Sequence, residues 1–151
     1  MGRAARGTSY HPGMDELTSA QEQAYGSVTH YLRQSFGELA SPAQDAPWFS
    51  VDYARGGILV AVHAMGEEDA SLQFYRWVGR GIEVTPAVAE RLLEMSGRFR
   101  FGCLSIDDER DILFDYSVPA AGQTKATVAF LTRTMATTAD AIDDELRMSF
   151  G

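Results

Sequence analysis

The chain has 151 residues, the length of one ordinary domain, so an enzyme with separate cofactor and substrate domains is not expected. Hydrophobic residues make up 45% and charged residues 23%, which predicts a folded globular protein rather than a disordered chain. The formal net charge of −8 argues against binding to nucleic acid or to an anionic membrane, because both require clustered Lys and Arg. A soluble acidic enzyme and an acidic protein-binding module both remain open.

Cysteine usage and hydropathy predict a cytoplasmic protein. Cys103 is the single cysteine and cannot form an intramolecular disulfide, which suits a reducing compartment. No segment reaches the roughly 18 consecutive apolar residues of a membrane span, and no signal peptide is recognised. Residues 1–14 contain Gly and Pro without periodicity, so they are interpreted as a disordered lead to a single domain at residues 15–151.

The first half of the chain predicts a helix followed by three strands. Apolar residues recur at three- and four-residue steps from Thr18 to the region of Gly37 to Ala40, which predicts an amphipathic helix. Three runs rich in aromatic and β-branched residues follow at residues 48–53, 57–65 and 71–78. The short turns between them suit antiparallel hairpins.

The second half predicts a helix, two strands and a long final helix. Thr85-Pro86 places a capping hydroxyl before a proline and predicts a helix over residues 86–96. Strands at residues 101–106 and 112–118 flank an acidic turn, and Thr124 can cap a helix with an apolar stripe reaching Leu146. The predicted fold is therefore an α+β domain of order α-βββ-α-ββ-α, with an antiparallel sheet packed against helices.

Alternation along the strands separates two faces of the sheet. The first face is a core set: Phe49, Val51, Tyr53, Ile58, Val60, Val62, Leu72, Phe74, Leu104, Ile106, Ile112, Phe114, Tyr116 and Val118. The second face is only half polar, with Trp48, Leu59, Tyr75, Trp77, Phe101, Cys103 and Leu113 among Asp52, His63, Gln73 and Asp115. Such a face needs cover, and the sequence leaves a helix and a partner equally open as that cover.

Residue types that support metal or covalent chemistry are scattered. The histidines His11, His30 and His63 and the single cysteine show no metal-ligand spacing, so neither a metal site nor a cofactor is expected. No base stands beside Cys103 in sequence, and it is interpreted as a small strand hydrophobe. The glycine-rich stretches at residues 55–57 and 79–81 lack a phosphate-binding pattern and are interpreted as turns.

Two acidic clusters are interpreted as solvated surfaces. The turn at residues 107–111 lacks the central glycine and the final glutamate of a calcium loop. The carboxylates of Asp140, Asp143, Asp144 and Glu145 lie late in the last helix, where the helix dipole disfavours them. We interpret this acidic face as a solubility feature.

The C-terminal half has a recognisable arrangement. Residues 99–146 have the sequence FRFGCLSIDDERDILFDYSVPAAGQTKATVAFLTRTMATTADAIDDEL. A strand begins near Phe101-Gly102 and is followed by an acidic turn. A second strand ends near Val118-Pro119, and a long helix closes the segment. This arrangement resembles the YbjN family, whose fold is similar to that of type III secretion chaperones. The chain departs from the family at Glu94-Met95-Ser96-Gly97, where YbjN proteins often have an asparagine-rich stretch.

The resemblance implies a non-enzymatic, often dimeric protein that holds another polypeptide, chaperone-like or regulatory, on an apolar surface. The predicted partner-binding residues are Trp48, Leu59, Tyr75, Trp77 and Leu113, because aromatic side chains give large contact area at low entropic cost. A homodimer is also predicted, with its seam at the second helix and the strands after it.

An alternative function keeps the same fold. A small α+β enzyme or ligand-binding domain would have a pocket between sheet and helix, lined by Tyr53, Tyr75, Trp77 and His63. A closed pocket with convergent polar groups would favour this alternative, whereas a shallow apolar surface would favour the binding module.

Overall fold

The computed structural model describes residues 13–151. Its elements in chain order are a 3-10 helix Met14–Glu16, α1 (Ser19–Phe36), a 3-10 turn Gly37–Leu39, β1 (Ala40–Pro42), β2 (Trp48–Val51), β3 (Ile58–Met65), β4 (Asp69–Val78), α2 (Pro86–Ser96), β5 (Cys103–Ile106), β6 (Ile112–Pro119) and α3 (Lys125–Phe150). The predicted lead lies outside the described residues except for its last two. The α+β class is confirmed, and β1 is the one strand that the predicted order lacks.

Each α-helix begins at a capping threonine. Thr18 and Gln21 exchange hydrogen bonds between side chain and backbone, both at 3.1 Å, and so form a capping box. Thr85 and Thr124 each accept the backbone N–H of the residue three positions later, and Pro86 occupies the first position of α2. These side chains satisfy N–H groups that the first helical turn leaves without a partner. The predicted helix starts are confirmed.

The strands form one antiparallel sheet of order β1-β2-β3-β4-β6-β5. The first four strands follow one another as a meander, whereas β6 pairs with β4 and β5 lies outside β6 at the sheet edge. Because α2 carries the chain from β4 to the far edge, β5 and β6 can return as a hairpin in which β6 becomes an inner strand.

The hydrophobic core lies between the first face of the sheet and the helices. Large side chains with at most 2% exposure come from both layers: Phe49, Phe74, Phe114, Leu72 and Ile112 from strands, and Leu32, Met95, Met135, Ile142 and Leu146 from helices. All three helices contribute buried residues to this one cluster. The first face is therefore the face that the helices cover.

Three details of the predicted strands are wrong. The prediction missed β1, because three residues ending in Pro42 are too short to show a strand period. The second strand ends at Val51 rather than two residues later, since the chain turns through Ala54 at a φ of 59°. Ile106, assigned to the core, is 38% exposed at the end of the edge strand β5.

Phe101 also differs from its predicted place on the second face. It precedes β5, packs at 5.7 Å from Tyr116 and 5.5 Å from Phe130 between ring centroids, and so lies on the helix side. Gly102 has a φ of 88° and interrupts the alternation between Phe101 and the strand. A Cβ at that position would also collide with the ring of Phe114, so only glycine fits there.

Candidate functional site

The strand register brings most of the predicted partner-binding residues together on the second face. Leu59 of β3 lies opposite Tyr75 of β4, and Trp77 lies opposite Leu113 of β6. Trp48 of β2 lies opposite Ala61, two residues further along β3 from Leu59. Side chains that share a face alternate along each strand, so these residues form one surface. None of the five predicted residues belongs to the core cluster that the helices cover.

Trp77 is held in place by three neighbours. Its ring meets Tyr75 edge to face at 5.7 Å between centroids, and the guanidinium of Arg80 lies 5.7 Å from its centroid. The indole Nε1 donates to Asp107 Oδ2 at 2.9 Å. The Trp77 side chain remains only half-buried, so the structure presents a fixed aromatic surface.

Tyr75 carries a buried hydroxyl without a hydrogen-bond partner among the described residues. The residue is 4% exposed, and burial raises its pKa to about 12, which keeps the phenol neutral at physiological pH. A buried hydroxyl left without a partner costs roughly 1–3 kcal/mol.

A chain of polar side chains crosses the second face from β3 to β5. His63 Nε2 lies 2.8 Å from Gln73 Oε1, and Gln73 Nε2 donates to Asp115 Oδ2 at 3.1 Å. The thiol of Cys103 donates to the other oxygen of Asp115 at 3.7 Å. Because the Gln73 carbonyl oxygen can only accept, this contact requires a proton on Nε2 of His63.

Cys103 is exposed, but its environment opposes a nucleophilic role. Partial desolvation and the negative charge and hydrogen bond of Asp115 all raise the pKa of the thiol. The thiolate is the reactive form, so this setting disfavours it. Cys103 lies in β5 as expected, but as an exposed thiol bonded to Asp115 rather than as the small strand hydrophobe that the sequence suggested.

The acidic turn between β5 and β6 is organised by one carboxylate. Asp107 Oδ1 accepts the backbone N–H groups of Glu109 at 3.0 Å and Asp111 at 2.9 Å, while Oδ2 accepts from Trp77. Asp107 thereby links the turn to the second face. The sequence analysis interpreted this segment as a solvated hairpin turn and did not predict the hydrogen bond to Trp77.

The acidic face of α3 is not the solubility feature that the sequence suggested. Asp140 accepts from Arg76 Nη1 at 2.6 Å and from the backbone N–H groups of Arg55 at 2.8 Å and Gly56 at 3.1 Å. Burial by itself would raise the pKa of Asp140, but these hydrogen bonds outweigh burial and hold the pKa below its usual value. The carboxylate fixes the β2–β3 turn and β4 to the helix layer.

The other three carboxylates of α3 are also paired. Their partners are Gly79 N (2.8 Å) and Arg147 Nε (2.9 Å) for Asp143, Arg55 Nη2 (2.6 Å) for Asp144, and Arg91 and Arg98 for Glu145. These bonds tie the end of α3 to β4, to the β2–β3 turn and to α2. The acidic face is thus a structural clamp on the helix side.

The pocket expected of an enzyme is not formed by the predicted lining residues. Tyr53 packs edge-on against Phe36 on the helix side, whereas His63, Tyr75 and Trp77 lie on the second face. A groove of about 340 Å³ lies elsewhere, between α1, the β3–β4 turn and the β6–α3 connection. Small residues and the polar side chains of Gln23, Gln123, Glu68 and Asp69 line much of it.

Two further structural properties concern residues 13–151. This part of the chain holds no group of three or more His, Cys, Asp or Glu side chains placed to bind a metal ion. Within the same range, no helix is both long and apolar enough to cross a membrane.

A comparison with protein families identifies the chain. The model of the family described as T3SS (YopN, CesT) and YbjN peptide-binding chaperone 1 matches residues 24–151. The chain belongs to this family. The match to TY-Chap1, as the family is called, begins within α1, runs through α3 and includes residues 99–146, so the resemblance to YbjN is confirmed. No curated protein matches the chain.

Membership of TY-Chap1 bears on the kind of partner that the protein binds. The family is one of peptide-binding chaperones, which agrees with a protein-binding module and with a polypeptide as partner.

The sequence analysis missed the clamp around Asp140, although Arg76 was a usable signal. It stands between Phe74 and Val78 at a position that alternation assigns to the core, and an arginine there needs a carboxylate partner.

Proposed function

We propose that residues 15–151 form a single non-enzymatic binding domain, chaperone-like or regulatory, that holds a segment of another polypeptide on the second face of the sheet. The observation that carries the proposal is the contiguous surface of the half-buried Leu59, Trp77 and Leu113 around the buried Tyr75, on the face opposite the three helices. Family membership supports a polypeptide as the ligand. A cytoplasmic location is part of the proposal, because the single cysteine, Cys103, cannot form an intramolecular disulfide.

The geometry of this face suits an extended segment. The buried Tyr75 ring fixes the half-buried Trp77 ring edge to face, so an apolar residue of the partner can lie against Trp77 without ordering new side chains. A backbone carbonyl of the same segment would satisfy the Tyr75 hydroxyl. Trp48 extends the apolar surface toward β2.

Peptide selection with matched variants tests the proposal. Random-sequence peptides displayed on phage are selected on the full chain, and the dissociation constants of the synthesised winners are measured by fluorescence anisotropy. We expect Trp77→Ala to weaken binding by about 30-fold, equivalent to about 2 kcal/mol, because it removes the central ring of the surface. The control is Phe130→Ala, an aromatic residue 46% exposed on the helix side.

Stability measured on the same variants separates a binding surface from a core. Loss of a core aromatic costs roughly 3–5 kcal/mol, so a binding role for Trp77 requires a smaller loss in thermal denaturation. Binding that survives Trp77→Ala but fails in Phe130→Ala would overturn the proposal and move the site to the helix side.

We also propose that the protein is a homodimer with α2 and β5 at its seam. Leu93 of α2 is 76% exposed, and the exposed Ile106 lies on the edge strand. Light scattering at micromolar concentration should give twice the 16.6 kDa of one chain. Leu93→Lys should produce monomers, whereas Met148→Lys, at an exposed position near the end of α3, should not. A monomeric wild type would contradict this proposal.

A further inference from the structure

We propose that the segment held on the second face carries an aspartate or glutamate whose side chain binds Arg80. This inference rests on the proposed function and names a chemical feature of the partner. It follows from three properties of Arg80: its contact with the ring of Trp77, the fixed turn that carries it, and a guanidinium that makes no ion pair or hydrogen bond within residues 13–151.

Arg80 lies at the rim of the proposed binding surface. Its guanidinium carbon is over the ring of Trp77, 5.7 Å from the centroid, and its side chain is exposed whereas Trp77 is half-buried. The attraction between a cation and an aromatic face holds the charge beside the apolar surface. A partner residue that lies against Trp77 therefore brings its neighbours within reach of the guanidinium.

The turn that carries Arg80 is bound to the helix layer. The N–H of Gly79 donates to Asp143 Oδ1 of α3 at 2.8 Å, and the N–H of Ile82 donates to Gly79 O at 3.1 Å. Gly79 and Gly81, on either side of Arg80, have φ values of 58° and 86°, which favour glycine. A guanidinium that projects from a fixed backbone and rests on a ring loses less conformational entropy when it binds a ligand.

The hydrogen-bonding capacity of Arg80 is unused within the described structure. Six other arginines bind carboxylates or a carbonyl: Arg55, Arg76, Arg91, Arg98, Arg110 and Arg147. Arg80 forms no such bond there, so its five N–H donors remain available to an acceptor. The side chain of Arg133 is also exposed and without such a bond, but it belongs to α3 and offers a matched control.

The carboxylate that contacts Trp77 is already bonded elsewhere. Asp107 Oδ2 accepts from Trp77 Nε1, and Oδ1 accepts the N–H groups of Glu109 and Asp111. Asp107 and Arg80 do not form an ion pair. A carboxylate matches both the charge and the planar fork of a guanidinium, so an acidic side chain of the partner polypeptide is the ligand that fits Arg80.

The distance between Arg80 and the Trp77 ring sets the spacing of the partner residues. In an extended segment, residues two positions apart point to the same side and lie about 7 Å from each other. This spacing is close to the 5.7 Å between the guanidinium and the ring centroid. We therefore expect the acidic residue two positions from the apolar residue that lies against Trp77.

Parallel peptide selections test the inference on the full chain. Random-sequence peptides displayed on phage are selected on the wild type, Arg80→Gln, Arg80→Glu and the control Arg133→Gln, after thermal melts confirm that each variant is folded. Asp and Glu should be enriched two positions from an apolar residue on the wild type and the control, but not on Arg80→Gln. Arg80→Glu should select Lys or Arg there instead. Because the net charge of −8 disfavours acidic peptides at long range, an acidic preference reports a local contact.

A double-mutant cycle measures the contact itself. One peptide selected on the wild type is synthesised with its acidic residue and with glutamine at that position. Anisotropy titrations should give the acidic peptide a dissociation constant about tenfold below that of the glutamine peptide on the wild type, and less than about twofold below it on Arg80→Gln. Arg80→Lys keeps the charge but loses the planar fork, so its preference should be intermediate.

The outcomes distinguish the inference from the proposed function. Selected peptides without an acidic preference that lose binding in Trp77→Ala would overturn the role of Arg80 and leave the binding face intact. An acidic preference that persists on Arg80→Gln would overturn the assignment to Arg80 in the same way. Binding that resists both Trp77→Ala and Arg80→Gln would overturn both proposals, as would a selection that yields no binder on the wild type.

Discussion

Asp140 of α3 and Arg76 of β4 form an ion pair inside the helix layer, with 2.6 Å between Oδ1 and Nη1. The Arg76 side chain is 16% exposed, and the Asp140 carboxylate also holds the backbone N–H groups of Arg55 and Gly56. One carboxylate therefore joins a helix, a central strand and a turn. Charge pairs that are this strongly desolvated are costly to break, because the remaining partner stays buried.

Asp140→Asn should destabilise the protein by about 2–4 kcal/mol, since Arg76 would keep its charge without a counterion. The measurement is the free energy of unfolding in urea. Asp144→Asn is the matched control on the same helix, where the pair with Arg55 is exposed and contributes at most about 1 kcal/mol. Similar losses in the two variants would mean that the Asp140–Arg76 pair contributes no more to the free energy of unfolding than the exposed Asp144–Arg55 pair.

Gly56→Ala should disrupt the same clamp from the other side. A Cβ at Gly56 would overlap the Arg76 guanidinium, so Arg76 must move and its bond to Asp140 must weaken. We expect a loss of about 1–3 kcal/mol, typical of overpacking. Gly26→Ala, in α1 with open space around its Cα, should instead stabilise by about 0.5–1 kcal/mol. An unchanged free energy of unfolding in Gly56→Ala would show that the Arg76 side chain can move at this turn without loss of stability.

Acid should weaken the clamp. Asp140, Asp143 and Glu145 each have a pKa below the usual value, mainly because arginine side chains and backbone N–H groups bind the carboxylates. The unfolded chain therefore takes up protons first, and stability present above about pH 4 is lost as pH falls through the lower folded values. The free energy of unfolding should decline from about pH 5 downward, with a shallower slope in Asp140→Asn. An unchanged slope would contradict the role of Asp140.

The local elements could be predicted from the sequence because their causes are local. Thr18, Thr85-Pro86 and Thr124 mark helix starts through side chains that bond within one turn, and alternation in β3 and β4 separates two faces by geometry alone. β1 has no such signal. Its place in the sheet depends on pairing with β2, in which Ala40 lies opposite Val51.

The arrangement of helices required tertiary information. The sequence identified apolar residues on the second face but left helix cover and partner cover open, since nothing local states on which side α2 packs. The pairs that place α2 and α3 together join Arg91 and Arg98 to Glu145, which are far apart in the chain. The carboxylates of α3 were consequently assigned to solvent, although the core-facing Arg76 required one of them.

Tyr75 offers a prediction in which stability and binding change in opposite directions. Tyr75→Phe keeps the ring against Trp77 but removes a buried hydroxyl that has no partner in the described structure. Stability at neutral pH should stay the same or rise by up to about 1 kcal/mol. Because the proposed segment accepts a hydrogen bond from this hydroxyl through a backbone carbonyl, peptide affinity should fall by about three- to tenfold in Tyr75→Phe. A variant that loses stability instead would show that the hydroxyl already has a partner in the free protein.

Alkaline titration of the same variant checks the environment of Tyr75. Its pKa of about 12 in the folded protein lies above the usual value near 10, so the folded state resists ionisation. Stability is fully present below about pH 10 and is lost as pH rises toward 12, by roughly 2–3 kcal/mol in total. Tyr75→Phe should remove this alkaline loss, whereas Tyr116→Phe, in a half-buried tyrosine on the helix side, should retain it. Urea denaturation across this pH range measures the loss of stability, and tyrosinate absorbance measures the ionisation of the tyrosines. If the alkaline loss of stability persists in Tyr75→Phe, another group causes it.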